Sequence, residues 1–272
     1  MQRFIWISVI FLVGCATLDR HENAQQIARS GALTISSIKA NGFVLTSYSR
    51  LQDLNQPINV YIEGDGLAWL SRHQASPDPT PKQAMALSLA ALDPAKNVVY
   101  LARPCQFNDF NQTPCDSAYW TKQRYSEKVI DAMNQALDVF VSKTNHQQVN
   151  LIGYSGGASV AVLLAARRHD IASIRTVVGN LDHAYVNQMH QVDLMPESLN
   201  AIDAVEYIKG IPQLHFIGTH DSVIPKEVAA RFVNKQNDAK CIAVIEVEAE
   251  HQSNWIEQWT SLLKTSLPCN YQ

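Results

Sequence analysis

The sequence predicts an α/β fold with one mostly parallel central sheet of about eight strands, helices on both faces and at most a small cap. Three observations predict it. Two strand-like runs, residues 33–39 and 43–50, flank Asn41 and Gly42, a strong hairpin signal. Strand-like and helix-like stretches then alternate along the chain. Inner runs such as residues 97–101 are continuously apolar, which is typical of strands buried on both faces of a parallel sheet.

The hydrophobic pattern gives the remaining elements in order. The further strands are predicted at residues 58–63, 97–102, 149–153, 174–178, 213–217 and 241–247. The helices are predicted at residues 82–92, 127–143, 156–168, 201–209, 226–235 and 253–264. The helix at 127–143 has the clearest pattern, because its apolar residues recur at helical spacing on one face.

The spacing of two late strands limits the size of any cap. About thirty residues lie between the strands at 174–178 and 213–217, which leaves room for one or two helices around 185–207 but not for a large lid. We find no internal repeat, low-complexity segment or linker. Residues 32–272 are therefore predicted to form one domain.

Composition and charge exclude several classes of partner. The chain has 272 residues and a formal net charge of −3, without a basic excess or a run of like charges. Nucleic acid is not an expected partner, since phosphate binding needs clustered Lys and Arg. No HExxH motif or paired ligand spacing predicts a metal site, and no cofactor is implied.

The N-terminus has the features of an export signal. Arg3 precedes an apolar run, residues 4–13, about half the length needed to span a bilayer. The run ends in Leu-Val-Gly-Cys, which resembles the bacterial lipobox. We therefore expect a signal peptide at 1–14 and a diacylated Cys15 that anchors the chain to a membrane.

The expected location follows from the same segment. Residues 15–31 would form a polar tether with at most one short helix, and Ala16 favours the outer membrane, facing the periplasm. An ordinary signal peptide cut elsewhere is the alternative.

Four cysteines remain when Cys15 is set aside, an even number that suits an exported protein. Four cysteines allow three pairings. We predict Cys105–Cys115, which would close a Pro- and Asn-rich loop, and Cys241–Cys269, which would tie the C-terminal tail to a late strand. Four reduced thiols are the alternative.

A G-x-S-x-G motif centred on Ser155 carries the clearest chemical signal. Residues 153–157 read G-Y-S-G-G, directly after one predicted strand and directly before an apolar helix. A serine on such a sharp turn is exposed at a helix N-terminus, where positive dipole charge favours a developing oxyanion. No Gly-Lys-Ser/Thr follows, so a phosphate-binding loop is not indicated. Ser155 is the predicted nucleophile.

An acid and a base are expected later in the chain, in the order Ser, Asp, His. Asp221 comes just past the predicted strand 213–217, and His251 lies in a loop between the last strand and the last helix. In these places His251 would take the Ser155 proton, and Asp221 would fix the tautomer of His251.

Other residues compete for both roles. Asp182 follows the strand at 174–178, and both strand ends face the same edge of the sheet, so the sequence leaves Asp182 as an alternative acid. His183, His190 and His220 are alternative bases.

These motifs, in this order, resemble the α/β-hydrolase superfamily over nearly all of the chain beyond the leader. More narrowly, three segments are similar to a group of bacterial α/β-hydrolase lipoproteins. They are Y-I-E-G-D-G at 61–66, A-R-P-C-Q at 102–106 and G-N-L-D-H at 179–183. The resemblance implies a mechanism but no physiological substrate.

The resemblance also implies an oxyanion hole. Its donors would be the backbone N–H groups of Gly156 and Asp65. The superfamily often has His-Gly in the second segment, where this chain has Glu63-Gly64-Asp65, and a carboxylate there would oppose a developing negative charge. Arg103 could neutralise Asp65 or could instead meet an anionic substrate.

The remaining assignments concern binding and support. Arg103 and Tyr154 are the candidate substrate-binding residues, whereas Glu63, Trp120 and Trp255 are assigned to packing around the site.

Together these features predict acyl transfer to water through an acyl-Ser155 intermediate, on a carboxylic ester or thioester of modest size. Two alternatives stay open. A serine peptidase or an acyltransferase could use the same residues, since a triad does not identify the leaving group or the acceptor. A non-enzymatic envelope lipoprotein that kept the fold for binding is the other.

Overall fold

The structure is a computed structural model that describes residues 19–108, 115–145, 147–237 and 240–269. The predicted signal peptide and Cys15 lie outside the described residues. Within them, no helix is long and apolar enough to cross a membrane.

The chain alternates strands and helices from one end of the described part to the other. The strands are β1 (Thr34–Ala40), β2 (Phe43–Leu51), β3 (Ile58–Ile62), β4 (Trp69–Ser71), β5 (Gln74–Ala75), β6 (Asn97–Leu101), β7 (Val149–Tyr154), β8 (Ile171–Val177), β9 (Gln213–Gly218) and β10 (Ile242–Val247). The α-helices are α1 (Arg20–Ser30), α2 (Met85–Ala91), α3 (Glu127–Val141), α4 (Gly156–Ala165), α5 (His183–Met189), α6 (Lys226–Lys235) and α7 (Ile256–Leu262). Two short 3-10 helices span Ser117–Trp120 and Ala201–Tyr207.

Eight strands form the central sheet in the order β1-β2-β6-β3-β7-β8-β9-β10. The pairs β1–β2 and β2–β6 are antiparallel, and the other five pairs are parallel. All eight predicted strands are in this sheet, and the predicted α/β fold is confirmed.

Both faces of the sheet are covered. In β6, Val99 and Leu101 belong to the apolar cluster that contains residues of α3 and α4, whereas Val98 and Tyr100 belong to the cluster with α1, α2 and α7. Successive side chains of a strand point to opposite faces, so these two clusters lie on the two faces of the sheet. This explains why the strand is apolar at every position.

Some boundaries differ from the prediction. The segment predicted as a helix at 201–209 is a 3-10 helix, and the Asn200 side chain does not cap it. The Asn200 side chain bonds instead to the backbone N–H of His183 and to Asp182. The small cap expected around 185–207 therefore consists of α5 and this 3-10 helix.

The predicted tether contains α1. Ala24 and Ala28 of this helix are buried against α2, and the Arg20 guanidinium donates to the Asp78 carboxylate at 2.5 Å and to the Thr80 carbonyl at 2.6 Å. Residues 20–30 of the predicted tether thus form a short helix that packs on the domain.

Both predicted disulfides are present. Cys105–Cys115 has a Cα–Cα distance of 5.7 Å, and Cys241–Cys269 has one of 5.0 Å. The second bond closes a loop with a sequence separation of 28 and fixes the C-terminal tail at the start of β10. Such bonds stabilise the fold chiefly by restricting the unfolded chain.

A buried carboxylate lies where β3 ends. Glu63 is 1% exposed, and its carboxylate accepts hydrogen bonds from the backbone N–H of Gly64 at 2.9 Å and from the Tyr100 hydroxyl at 3.2 Å. Burial raises the pKa of this carboxyl from 4.5 to about 7, despite the hydrogen bonds that favour the charged form. The folded protein thus holds a proton that the unfolded chain releases at lower pH.

The stability of the protein should therefore depend on pH through Glu63. Because the folded pKa is the higher one, the neutral carboxyl favours folding at low pH, and this contribution is lost as pH rises from 5 to 7. Glu63→Gln should lack this pH dependence. Its free energy of unfolding relative to wild type should therefore rise by up to about 1.4 kcal/mol per pH unit. Urea unfolding between pH 5 and 8 measures this. The exposed Glu257→Gln is the control, and a pH-independent difference for Glu63→Gln would contradict the prediction.

Candidate active site

Ser155 occupies a strained turn between β7 and α4. Its φ is 50° and its ψ −118°, a backbone conformation that non-glycine residues rarely adopt. The turn closes because its neighbours lack side chains. A Cβ at Gly153 would lie 2.5 Å from the Ala158 Cα, and one at Gly157 would lie 2.2 Å from the Ile62 carbonyl oxygen. The Ser155 hydroxyl is thereby raised above the carboxyl edge of the sheet.

His251 lies between Ser155 and Asp221. Its Nε2 is 3.0 Å from the Ser155 Oγ, and its Nδ1 is 2.8 Å from an oxygen of the Asp221 carboxylate. The other Asp221 oxygen accepts hydrogen bonds from the backbone N–H groups of Val223 at 2.7 Å and Ile224 at 2.9 Å. The Asp221 side chain is fully buried. These bonds fix the carboxylate and hence the orientation of the imidazole.

Asp182 is engaged elsewhere. One carboxylate oxygen caps α5 by accepting from the Tyr185 N–H at 3.2 Å, and it also accepts from the Asn200 amide at 2.9 Å. The other oxygen is paired with Arg231 at 3.0 Å. Asp182 therefore holds the cap together and does not bond to His251.

The alternative histidines also lie apart from the nucleophile. His183 is buried and stacked on Tyr125, His190 bonds to the Val223 carbonyl, and His220 is exposed. Within the described residues, none of the three forms a hydrogen bond with Ser155.

The loop after β3 meets the start of α4. A Cβ on Gly156 would lie 2.1 Å from a carboxylate oxygen of Asp65, so the two segments are in direct contact. In the described part of the chain, the backbone N–H groups of Asp65 and Gly156 donate to no other protein group. Both predicted oxyanion donors are thus unpaired and lie beside Ser155.

The Asp65 carboxylate is compensated by two arginines. Arg124 pairs with it at 2.6 Å and Arg103 at 3.3 Å, and the Tyr125 hydroxyl donates to it at 3.2 Å. Burial alone would raise the pKa of Asp65, but the charges of Arg124 and Arg103 lower it below its usual value. Two cations face one carboxylate, so the local charge is positive.

Arg103 was expected either to neutralise Asp65 or to meet an anionic substrate, and in the structure it pairs with Asp65. Its side chain is 5% exposed, pairs with Asp65 and donates to the Arg124 carbonyl. Arg124, which no sequence motif marks, does line the groove. Its partner lies 59 residues earlier in the chain, and no local pattern marks the pair.

A groove of about 620 Å³ opens above Ser155. Its apolar lining residues are Trp69, Val186, Val192, Leu194, Met195, Val223 and Ile224. Its polar lining residues are Asp65, Ser71, Arg72, Thr121, Lys122, Arg124, Asn180, Asn187, His190, Asp193 and Ser222.

Tyr154 does not line the groove. Its hydroxyl donates to the His251 carbonyl at 2.9 Å and so positions the loop that carries the imidazole.

The structure also bears on metal chemistry. Among the described residues, no group of three or more His, Cys, Asp or Glu side chains is arranged to hold a metal ion.

Solved structures share this architecture. Est1E from Butyrivibrio proteoclasticus is 14% identical, with a TM-score of 0.59, and the match covers 85% of this chain and 96% of that one. The Pyrococcus furiosus esterase Pf2001 is 12% identical, with a TM-score of 0.61 and coverage of 86% and 92%. A putative alpha/beta hydrolase from Agrobacterium tumefaciens is 14% identical, with a TM-score of 0.57 and coverage of 85% and 93%. The shared fold is the α/β-hydrolase fold.

Comparison with curated protein sequences gives no match. The family comparison is more specific than the structural one. Residues 89–252 match the family described as serine hydrolase (FSH1). This span is more than half of the chain and includes Ser155, Asp221 and His251, and the chain belongs to that family.

Proposed function

We propose that this serine hydrolase cleaves a carboxylic ester or thioester through a covalent acyl-Ser155 intermediate, with His251 as base and Asp221 as acid. The observation that carries the proposal is the position of His251, which is 3.0 Å from Ser155 and 2.8 Å from Asp221. His251 takes the serine proton as Oγ attacks the carbonyl carbon, then gives it to the leaving group. The Asp221 carboxylate holds the tautomer and stabilises the imidazolium.

The developing oxyanion is bound by backbone donors. The N–H groups of Gly156 and Asp65 have no other partner among the described residues, and Gly156 also opens α4, where the helix dipole is positive. Arg124 and Arg103 offset the Asp65 charge that would otherwise oppose the oxyanion. Arg103 thus acts through Asp65, and Arg124 also faces the substrate.

The groove favours an acyl group. The cap and the segment after α5 contribute four apolar side chains to the lining, Val186, Val192, Leu194 and Met195. One structural neighbour, Pf2001 from Pyrococcus furiosus, is described as an esterase. An ester is therefore the first substrate to test, with thioesters and peptides as the comparison.

Replacing Ser155 by Ala should abolish hydrolysis of p-nitrophenyl butyrate while the protein stays folded, since a raised hydroxyl contributes little to packing. The loss in kcat should be several orders of magnitude. Labelling with a fluorophosphonate probe should disappear in the same variant. Ser159→Ala, one turn further along α4, is the matched control for labelling. More than about a tenth of wild-type turnover in Ser155→Ala would refute the proposed nucleophile.

The acid is tested by comparing Asp221→Asn with Asp182→Asn. An amide at 221 would leave the imidazole free to take the wrong tautomer, so kcat should fall by up to about ten-thousandfold. Asp182→Asn should keep kcat near wild type, because Asp182 bonds to the cap and to Arg231. Steady-state kinetics on one activated ester measures both. The reverse order of the two losses would exchange the assignments.

We further propose that the chain is a bacterial lipoprotein, anchored through Cys15 in the outer membrane and facing the periplasm. The lipobox-like sequence at 12–15 supports this, and so do two disulfides, which persist in oxidising compartments. The similarity to bacterial α/β-hydrolase lipoproteins agrees with it.

The anchor can be tested on protein made in a bacterial host. The N-terminal peptide should begin at Cys15 and carry the mass of a diacylglyceryl group, and Cys15→Ser should remain unmodified. Mass spectrometry of both proteins measures this. An unmodified N-terminus at another residue would exclude the anchor.

A further inference from the structure

The mouth of the groove carries exposed apolar side chains. They come from the β4–β5 hairpin, from the end of α5 and the segment after it, and from the loop after β9. We call this set the apolar rim; its members are Trp69, Leu70, Met189, Val192, Leu194 and Val223, each between 38% and 63% exposed. Clustered exposed apolar groups on a protein surface mark an interaction site.

The rim is one surface. The Arg72 guanidinium of the hairpin donates to the Gln191 carbonyl of the segment after α5, at 3.2 Å, and so joins the two sides of the groove. Charged side chains at the mouth include both signs, with Arg72 and Lys122 against Asp193, and Lys122 is paired with Glu197. An apolar partner therefore fits this surface better than a strongly charged one.

The N-terminal segment joins the domain beside the rim. Arg20, at the start of α1, bonds to Asp78 and Thr80. The Leu67 N–H donates to the Pro79 carbonyl at 3.0 Å, within the same loop that closes the base of the hairpin. The N-terminal end of the described chain and the mouth of the groove thus lie at the same edge of the sheet.

This position limits how far the domain can lie from a membrane. Asp19, the first described residue, comes four positions after Cys15, and an extended chain spans at most about 3.6 Å per residue. A lipid on Cys15 would hold Asp19, the residue before α1, within about 14 Å of the bilayer surface. The loop 67–80, which contains the hairpin and bonds to Arg20, would then lie near the lipid.

We propose that the apolar rim lies in a lipid surface and that the groove takes its substrate from that surface, as an acyl ester of a membrane amphiphile. This rests on the function proposed above. The acyl chain passes along the apolar lining until its carbonyl reaches Ser155. Oγ then bonds to the carbonyl carbon, the alcohol leaves with the proton held by His251, and water releases the fatty acid from the acyl-serine.

Two substrates distinguish delivery of an ester from the bilayer from the hydrolysis step itself. Protein made and processed in a bacterial host would be reconstituted in phosphatidylcholine vesicles that contain 4-methylumbelliferyl palmitate, and water-soluble p-nitrophenyl acetate would be measured on the same samples. The test variant is Leu70→Asp with Met189→Asp, two rim residues that do not line the groove. The control is Ile35→Asp with Leu54→Asp, which are 51% and 45% exposed and lie on the edge strand β1 and in the turn before β3.

The rim variant should hydrolyse the bilayer ester at least about tenfold more slowly, because charged groups do not enter the acyl region. Its turnover of the soluble acetate should stay within about twofold of wild type, and the control should match wild type on both substrates. The neutral pair Leu70→Ser with Met189→Ser should give an intermediate loss on the bilayer ester.

Three results would overturn the proposal. Equal turnover of the bilayer ester by wild type and both rim variants would show that the rim takes no part in delivery. An equal loss on both substrates would place these residues in the site or the fold. Faster turnover of the acetate by the rim variants would indicate that the apolar residues 4–13 are retained in the protein and cover the rim. Failure of the proposed function looks different, since wild type would then hydrolyse neither ester and Ser155 would not take the fluorophosphonate label.

Discussion

The site depends on one backbone constraint, the turn at Ser155. With φ at 50°, this residue reverses the chain between β7 and α4. The reversal requires glycine at 153 and 157, because any side chain there would overlap α4 or the end of β3. The same close approach brings the loop after β3 against the first turn of α4. Nucleophile and oxyanion donors are therefore placed by a single steric arrangement, and the strain at Ser155 is held by the packed sheet around it.

The second constraint is electrostatic. A glycine at 156 is needed because the Asp65 carboxylate occupies the space a Cβ would take. An isolated carboxylate in that place would raise the energy of a neighbouring oxyanion. The ion pairs with Arg124 and Arg103 change its effect, since the group as a whole carries more positive than negative charge. The departure from the His-Gly pattern is thus compensated by residues that have no sequence motif of their own.

Whether a feature could be predicted from the sequence depends on how far apart its interacting residues lie in the chain. The hairpin at Asn41 and Gly42, the buried strands and the turn at Ser155 depend on neighbours in the chain, so their patterns are local. The pairing of His251 with Asp221 instead of Asp182 depends on which strand end lies beside which loop, and the sequence left it open. Arg124 was not foreseen, because its partner is distant and an arginine in a loop looks like a solvated one.

The local sequence pattern does not predict the packing of α1, for a similar reason. Its sequence is polar except for a few small residues, and Ala24 and Ala28 become buried only because α2 presents a matching surface. Arg20 then finds its partners across 58 and 60 residues. A segment that looks like a tether by composition is, for these reasons, part of the folded domain from residue 20 onward.

One disulfide links the proposed compartment to the geometry of the site. Cys105–Cys115 closes a loop that contains Gln106 and directly follows Arg103 and Pro104, and Cys105 itself has a φ of 73°. Arg103 bonds to Asp65, and the Gln106 amide donates to the Gly64 carbonyl at 2.9 Å, so both side chains hold the oxyanion loop from one side. Without the covalent bond, hydrogen bonds alone would have to keep Cys105 in this backbone conformation. Export to an oxidising compartment would therefore support the loop that positions the Asp65 N–H, in addition to the stability of the fold as a whole.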